Sequence, residues 1–72
     1  MRIRIDPTAD AIYIDLVQRE IASSEEVSEG IIIDYDREGR IVGVEILDAS
    51  KKSGESKIFD NFNLDLPHAV AG

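Results

Sequence analysis

The central stretch of the chain, residues 31–47, reads IIIDYDREGRIVGVEIL and constrains the fold more than any other feature. Two runs rich in β-branched residues flank a polar segment that ends in Gly39-Arg40. This pattern is typical of a tight antiparallel hairpin. We predict a three-residue loop over Arg37 to Gly39, in which Gly39 adopts the left-handed conformation that glycine tolerates best.

The predicted loop also sets the pairing of the two strands. The expected pairs are Asp36 with Arg40, Asp34 with Val42, and Ile32 with Val44. In this register one face of the hairpin carries Ile32, Val42, Val44 and Ile46. The opposite face, which we expect to be a dimer or packing face, carries Ile31, Ile33, Tyr35, Ile41 and Leu47. Because both faces would be apolar, we expect one to be covered by the C-terminal segment and the other by a second copy of the chain.

The flanking regions predict a first hairpin and a short helix. Residues 1–5 and 11–17 alternate between polar and apolar side chains and are joined by a turn that contains Pro7. The acidic stretch that follows is compatible with a helix over Ser23 to Glu29 or with a loop and a short edge strand near Ile21. Asp48 is expected to cap a short helix. The predicted fold class is α+β: a small antiparallel four-stranded sheet of two hairpins with a short C-terminal helical segment.

The length of the chain predicts a single domain. Residues 1–52 form the expected β-rich core, and residues 53–72 form a C-terminal segment that packs on the sheet and frays at its end. A core built from 72 residues is marginal, and small domains usually add a disulfide, a metal or a second subunit. The chain has no cysteine and one histidine, His68, which disfavours the first two devices. We therefore expect a homodimer.

The charge of the chain limits the classes of partner that it is expected to bind. With 15 acidic and 8 basic residues, the net charge is −7, which repels nucleic acid and anionic membranes and would attract a basic protein partner. The simpler interpretation, which we favour, is that the acidity keeps a small protein soluble. The sequence contains no apolar run of about 18 residues and no signal-peptide pattern, so a cytoplasmic location is expected. The small lysine group, Lys51, Lys52 and Lys57, lacks the interleaved aromatic residues of nucleic-acid-binding proteins.

The hairpin also matches the spacing of a calcium-binding EF-hand loop. The matching residues are Asp34, Asp36, Glu38, Gly39 and Glu45. An EF-hand loop works between two helices, whereas these flanks are strand-forming, so we predict a hairpin and not an EF-hand. A weaker metal hypothesis remains, in which Asp34, Asp36 and Glu38 hold a cation. The simpler interpretation gives Asp36 a role in the turn, with Arg40 paired to it across the ladder.

No residue is predicted to be catalytic, and no cofactor is predicted. Asp10, Asp15, Asp34 and Glu45 are the carboxylates considered for acid–base chemistry, and we assign them surface and turn roles because the sequence does not make them neighbours. Ser50 is assigned to the start of a helix, and His68 to an exposed position beyond Pro67. An enzyme is therefore disfavoured.

Two blocks of the chain resemble the YuzE-like family of domains of unknown function. They read IDPTADAIYI over residues 5–14 and GIIIDYDREGRIVGVEILDAS over residues 30–50, and the resemblance covers about Met1 to Lys52. It implies a small, β-rich prokaryotic protein with no established catalytic residues, some of whose relatives are antitoxin-side neighbours of small toxin genes. The predicted function is a non-enzymatic protein-interaction module that acts as a homodimer and is antitoxin-like towards a basic partner. The alternative is a small metal-binding protein or metal-dependent enzyme.

Overall fold

The computed structural model describes residues 1–67. Within that range the chain forms one five-stranded antiparallel sheet and one short helix. The strands are β1 (Arg2–Asp6), β2 (Ala11–Asp15), β3 (Ser23–Ser28), β4 (Ile31–Tyr35) and β5 (Ile41–Leu47), and the helix is α1 (Ala49–Ser53). Their order across the sheet is β1-β2-β5-β4-β3. The prediction of an antiparallel sheet with a short helix is confirmed, and the prediction of four strands is wrong because β3 is a fifth.

Strand β3 replaces both structures considered for the acidic stretch, the helix over residues 23–29 and the short strand near Ile21. Its sequence, SSEEVS, has little intrinsic β propensity, and all six residues are exposed. The strand forms because it pairs along the isoleucine-rich β4 through a tight turn at Glu29-Gly30, where Gly30 has a φ of 70°. Main-chain pairing with a neighbouring strand therefore overrides the local preference.

The turn between β4 and β5 is the predicted one. Gly39 has a φ of 77° and donates its amide to the Asp36 carbonyl over 3.1 Å. The Asp36 amide in turn donates to the Arg40 carbonyl over 2.9 Å, which closes the three-residue loop. The predicted pair of Asp36 with Arg40 and the left-handed glycine are confirmed.

Beyond this turn the register differs from the prediction. Asp34 pairs with Gly43 and Ile32 pairs with Glu45, so the predicted partners, Val42 and Val44, are wrong. The physical cause is a β-bulge, which leaves Val42 as an extra residue in β5 and advances the rest of the strand by one position. A shift by one residue moves each following side chain to the other face of the sheet.

The bulge gathers the β-branched residues on one face of the sheet, which we call the apolar face. It consists of two cross-strand rows, Ile3, Ile14, Val44 and Ile33 in one and Ile5, Ile12, Ile46 and Ile31 in the other. The opposite face is mixed, with one row made of Arg4, Tyr13, Glu45 and Ile32. The prediction of two apolar faces is therefore wrong. Leu47 was expected on the same face as Ile31 and Ile33. It pairs with Ala11 and lies on the opposite face from those two residues.

The sheet forms a plate with little interior. The chain measures 36 × 34 × 17 Å and has a radius of gyration of 14.1 Å. A compact domain of this length has a radius of about 11 Å. In the described residues, the buried apolar side chains are Ala11, Val42 and Ala49. Few large apolar side chains are therefore buried among residues 1–67.

Helix α1 is hydrogen-bonded to the turn between β1 and β2. The Asp10 carboxylate accepts from the Ser50 amide over 2.9 Å and from the Ser50 hydroxyl over 2.7 Å, and the Ala49 amide donates to the Asp10 carbonyl. Ser50 therefore lies at the helix start, as predicted. Asp48 occupies the position before the helix but makes no side-chain cap bond, so its predicted capping role is wrong. The amides of Ala49 and Ser50 at the helix start are satisfied by Asp10 instead.

The C-terminal segment leaves most of its apolar side chains in solvent. Ile58 and Phe59 are half-buried, whereas Phe62, Leu64 and Leu66 are 59, 62 and 78 % exposed. His68 and the predicted frayed end lie outside the described residues. Among residues 1–67, no helix has the length and apolar character needed to span a bilayer.

Candidate functional site

The apolar face is the first candidate site. None of its eight side chains is buried, and the two on the edge strand, Ile3 and Ile5, are each 38 % exposed. Contiguous apolar patches of this kind on small proteins mark interaction surfaces. Two residues assigned to the expected packing face, Ile31 and Ile33, lie on it, and Tyr35 and Ile41 pair with each other on the turn side of the bulge.

Three carboxylates meet on the opposite face of the sheet, and we call them the carboxylate cluster: Asp15, Asp34 and Glu45. Gly43 forms the floor between two of them, because a Cβ placed on it would lie 3.5 Å from Asp34 Oδ2 and 3.6 Å from Asp15 Oδ1. Asp34 is 7 % exposed, and its Oδ1 accepts a hydrogen bond from the Ser24 hydroxyl over 2.6 Å. The alternation of β5 after the bulge is the signal that joins these residues, and the sequence alone did not reveal it.

The cluster changes the acidity of Glu45. Burial raises the pKa of the Glu45 carboxyl above its ordinary value of 4.5, and the charge of Asp34 and a hydrogen bond shared with it act in the same direction. Asp15 adds to this effect. Arg4 opposes it from β1, where its guanidinium lies 3.5 Å from the Asp15 carboxylate and 5.0 Å from the centre of the Tyr13 ring. The arrangement therefore favours the protonated form of Glu45 more than water does.

Replacing Glu45 by glutamine should flatten the pH dependence of stability. The folded-state pKa of Glu45 is raised, so its stabilising contribution is complete below pH 4.5 and is lost as the pH rises through the folded value. Glu45→Gln keeps a donor towards Asp34 and removes the charge. At pH 7 we expect the variant to be more stable than the wild type by roughly a few tenths of a kcal/mol, because the site is partly solvated. Urea unfolding at several pH values between 4.5 and 7 measures this.

A matched control is Glu26→Gln, on the neighbouring edge strand in the same cross-strand row. Glu26 is exposed, and its carboxylate accepts from the Gly30 amide over 3.2 Å, a bond that a glutamine oxygen can keep, so this variant controls for the loss of one charge from the row. The interpretation of the cluster would be wrong if Glu45→Gln were less stable than the wild type at pH 7. It would also be wrong if the two glutamine variants gave the same pH profile.

Asp36 organises the turn between β4 and β5. Its Oδ1 accepts from the amides of Glu38 and Arg40, each over 2.9 Å, and its Oδ2 accepts from the guanidinium of Arg40 over 3.2 Å and from that of Arg19 over 3.4 Å. These bonds, led by the Arg40 amide, hold the pKa of Asp36 below its ordinary value although burial of the carboxyl opposes the shift. The side chain is 9 % exposed. The predicted turn role of Asp36 is therefore what the contacts show.

The weaker metal hypothesis required Asp34, Asp36 and Glu38 to act together. Asp34 bonds Ser24, Asp36 is occupied by four donors, and Glu38 is ion-paired with Arg40. Across the described part of the chain, no three histidine or acidic side chains are arranged to hold a metal ion. The three residues are therefore brought to the same hairpin but not to one site. Isothermal calorimetry with calcium, magnesium and manganese tests the hypothesis directly.

Removal of the Asp36 carboxylate should weaken the hairpin in two separable steps. Asp36→Asn retains an acceptor for the turn amides and loses the ion pairs, whereas Asp36→Ala loses both. We expect Asp36→Ala to lower the melting temperature by roughly 5–10 °C, and Asp36→Asn to lower it by less than half as much. Thermal unfolding followed by circular dichroism at one fixed concentration measures both. Equal losses for the two variants would show that the turn amides contribute nothing.

A cleft lies at the end of the sheet beside the bulge. Its volume is about 420 Å³, and Val42, Val17, Ile21, Arg2 and Arg19 are among its lining residues. Arg19 already pairs with Asp36, and Asp15 contributes a carboxylate to the wall. The cleft therefore combines both charge signs and does not indicate one class of ligand.

Comparison with known proteins gives one match. A family profile described as a protein of unknown function (DUF2283) matches residues 2–50, which is more than half of the chain. The matched region comprises all five strands and the start of α1, and it ends before the exposed C-terminal residues. Neither the curated proteins nor the solved structures gave a match.

Proposed function

The chain belongs to the DUF2283 family of proteins of unknown function. We propose that it is YuzE-like and that it is a non-enzymatic protein-interaction module that acts as a homodimer. The observation that carries the proposal is the apolar face. Eight β-branched side chains lie in two rows across four strands, and none of them is buried in one copy of the chain. A second copy offers the same surface, which is the self-complementary arrangement of a twofold dimer.

Packing of two sheets would supply the interior that one copy lacks. Sheets that pack face to face lie about 10 Å apart and interdigitate their apolar side chains. The single-layer shape of the chain, 17 Å in its shortest dimension, leaves room for that packing on one side. The proposed dimer is therefore a sandwich of two five-stranded sheets with the carboxylate cluster of each copy on the outside.

Support for a basic partner comes from the edge strand β3. Glu25 and Glu26 are exposed on it, Glu29 follows in the turn, and no basic residue occurs between residues 20 and 30. The net charge of −7 also attracts a basic partner, at longer range. We propose that an antitoxin-like contact with a basic protein would use this edge. Such a contact should weaken as salt is raised, because exposed charges are screened within about 10 Å at 0.1 M salt.

Sedimentation equilibrium of the full chain over a range of concentrations tests the dimer. The expected result is twice the chain mass, with a dissociation constant on the order of micromolar or tighter. Raising the salt concentration should leave the dimer intact because its contact is apolar, whereas it should weaken binding of a basic partner. A chain that sediments as a folded monomer at about 100 µM, well above that range, would exclude the proposed function.

A further inference from the structure

The C-terminal tail, residues 61–67, carries a second unpartnered apolar surface. It reads NFNLDLP, so that Phe62, Leu64 and Leu66 alternate with polar residues. An alternation of period two places its apolar side chains on one side of an extended chain. These three side chains are 59, 62 and 78 % exposed, and they belong to no helix or strand in the described residues. One chain therefore exposes two apolar surfaces, the tail and the apolar face.

The dimensions of the apolar face show why a second surface is needed. Four strands about 4.8 Å apart and two rows about 7 Å apart give a footprint of roughly 20 by 14 Å. That area, about 280 Å², is well below the roughly 800 Å² that a standard stable interface buries on each partner. A phenylalanine and two leucines reduce this shortfall, because an aromatic side chain alone buries about 150–250 Å².

From these observations we infer that the tail of each copy packs on the apolar face of its partner. The inference rests on the proposed dimer and names the segment that completes it. Twisted sheets that pack at about −30° leave the corners of each face beyond the partner sheet. The most exposed residues of the apolar face, Ile3 and Ile5, lie at such a margin because β1 is an edge strand.

The reach of the tail is sufficient for this exchange. The last half-buried residue before the tail is Phe59, which anchors it. The seven tail residues span about 23 Å when extended. That length exceeds the spacing of about 10 Å between packed sheets. Asn63 and Asp65 lie on the other side of the extended tail and would remain in solvent. The exchange therefore buries the apolar side of the tail without burying its charge.

A set of tail variants of the full chain tests the inference. Replacing Phe62, Leu64 and Leu66 together by serine should raise the dimer dissociation constant at least 10-fold. The matched control replaces Asn63 and Asp65 by serine and should change it less than twofold. Because the tail lies outside the sheet, circular dichroism should show the same strand content in all three proteins. Sedimentation equilibrium gives the dissociation constants.

Each outcome has a distinct meaning. An unchanged dissociation constant in the triple variant would overturn the exchange and leave the dimer standing, whereas a monomeric wild type would overturn the dimer itself. A second measurement locates the tail: in a dimer mixed from labelled and unlabelled chains, nuclear Overhauser contacts should connect the Phe62 ring with the Ile3 and Ile5 methyls of the other copy. Contacts within one copy alone would show that the tail covers its own sheet, and the exchange would be wrong.

Discussion

Replacement of Ile33 by lysine is expected to abolish the dimer, whereas replacement of its neighbour Ile32 by lysine is expected to preserve it. Both isoleucines are half-buried residues of β4, but they point to opposite faces. Ile33 ends one row of the apolar face, where it pairs with Val44 on β5 and with the exposed Glu25 on β3. A lysine ammonium taken out of water in the dimer would cost several kcal/mol, of which a pair with Glu25 restores about 0.2–1 kcal/mol, so the dissociation constant should rise at least 100-fold or the chain should unfold.

Ile32 is a sharp control because its surroundings favour a cation. Its cross-strand partners are Glu26 on one side and Glu45 on the other. A lysine between two carboxylates gains opposite-charge pairs worth about 0.2–1 kcal/mol each. Ile32→Lys should therefore keep its dimer mass and melt within a few degrees of the wild type. Sedimentation equilibrium and thermal unfolding at one protein concentration measure both quantities.

A milder substitution keeps the test valid if Ile33→Lys fails to fold. Ile33→Thr retains a β-branched side chain and its strand preference while adding a hydroxyl to the apolar face. It should remain folded and raise the dissociation constant about 10-fold, since one unpaired hydroxyl costs about 1–3 kcal/mol. Dissociation of Ile32→Lys together with an intact dimer in Ile33→Thr would contradict the observed register and the proposed interface.

Replacement of Gly43 by alanine is the second substitution with a large expected effect. A Cβ on Gly43 would lie 2.9 Å from the Ile14 carbonyl oxygen, a contact that real Cβ atoms essentially never make. The oxygen belongs to the backbone of a central strand, so the sheet itself must move. We expect a loss of roughly 2–3 kcal/mol, which lowers the melting temperature of a domain of this size by about 10–20 °C.

Gly39→Ala separates this steric effect from backbone strain. Gly39 has open space around a Cβ but a φ of 77°, whereas the obstacle at Gly43 is the neighbouring strand. The left-handed conformation costs a non-glycine residue about 1–2 kcal/mol, so Gly39→Ala should be the less damaging variant. Urea unfolding of both variants tests the order. A Gly43→Ala protein as stable as the wild type would mean that β2 and β5 are not as closely packed as described.

The parts of the fold that were predicted correctly depend on local chemistry. The turn at Arg37 to Gly39 follows from a glycine that can adopt positive φ and an aspartate that can accept the loop amides. The strand character of residues 31–35 and 41–47 follows from their β-branched side chains. Both signals lie within a few residues of the structure they determine.

The bulge at Val42 could not be predicted from the hairpin because the groups that bond it lie elsewhere in the chain, just beyond β2. The amides of Leu16 and Val17, at the end of β2, both donate to the Val42 carbonyl, over 2.8 and 3.4 Å. These bonds hold the extra residue out of the β4 ladder. The bulge determines which side chains share a face. The apolar face and the carboxylate cluster therefore could not be predicted from the hairpin pattern alone.

Two further features depend on the segment they bond to and not on their own local preference. β3 has a sequence of low strand propensity and is formed by its pairing with β4. The helix α1 is capped by Asp10, which lies forty residues before Ser50 in the chain. The adjacent Asp48 makes no side-chain cap bond. In both places hydrogen bonds to another segment decide between local alternatives.

The central claim is that two apolar faces meet across a twofold axis. Isotope-filtered nuclear Overhauser spectra of a dimer mixed from methyl-labelled and unlabelled chains test it most directly. If the apolar faces meet, intermolecular contacts should connect the methyl groups of Ile12, Ile14, Val44 and Ile46. A dimer whose intermolecular contacts arise only from the opposite face, at Ile32 or Leu47, would contradict it.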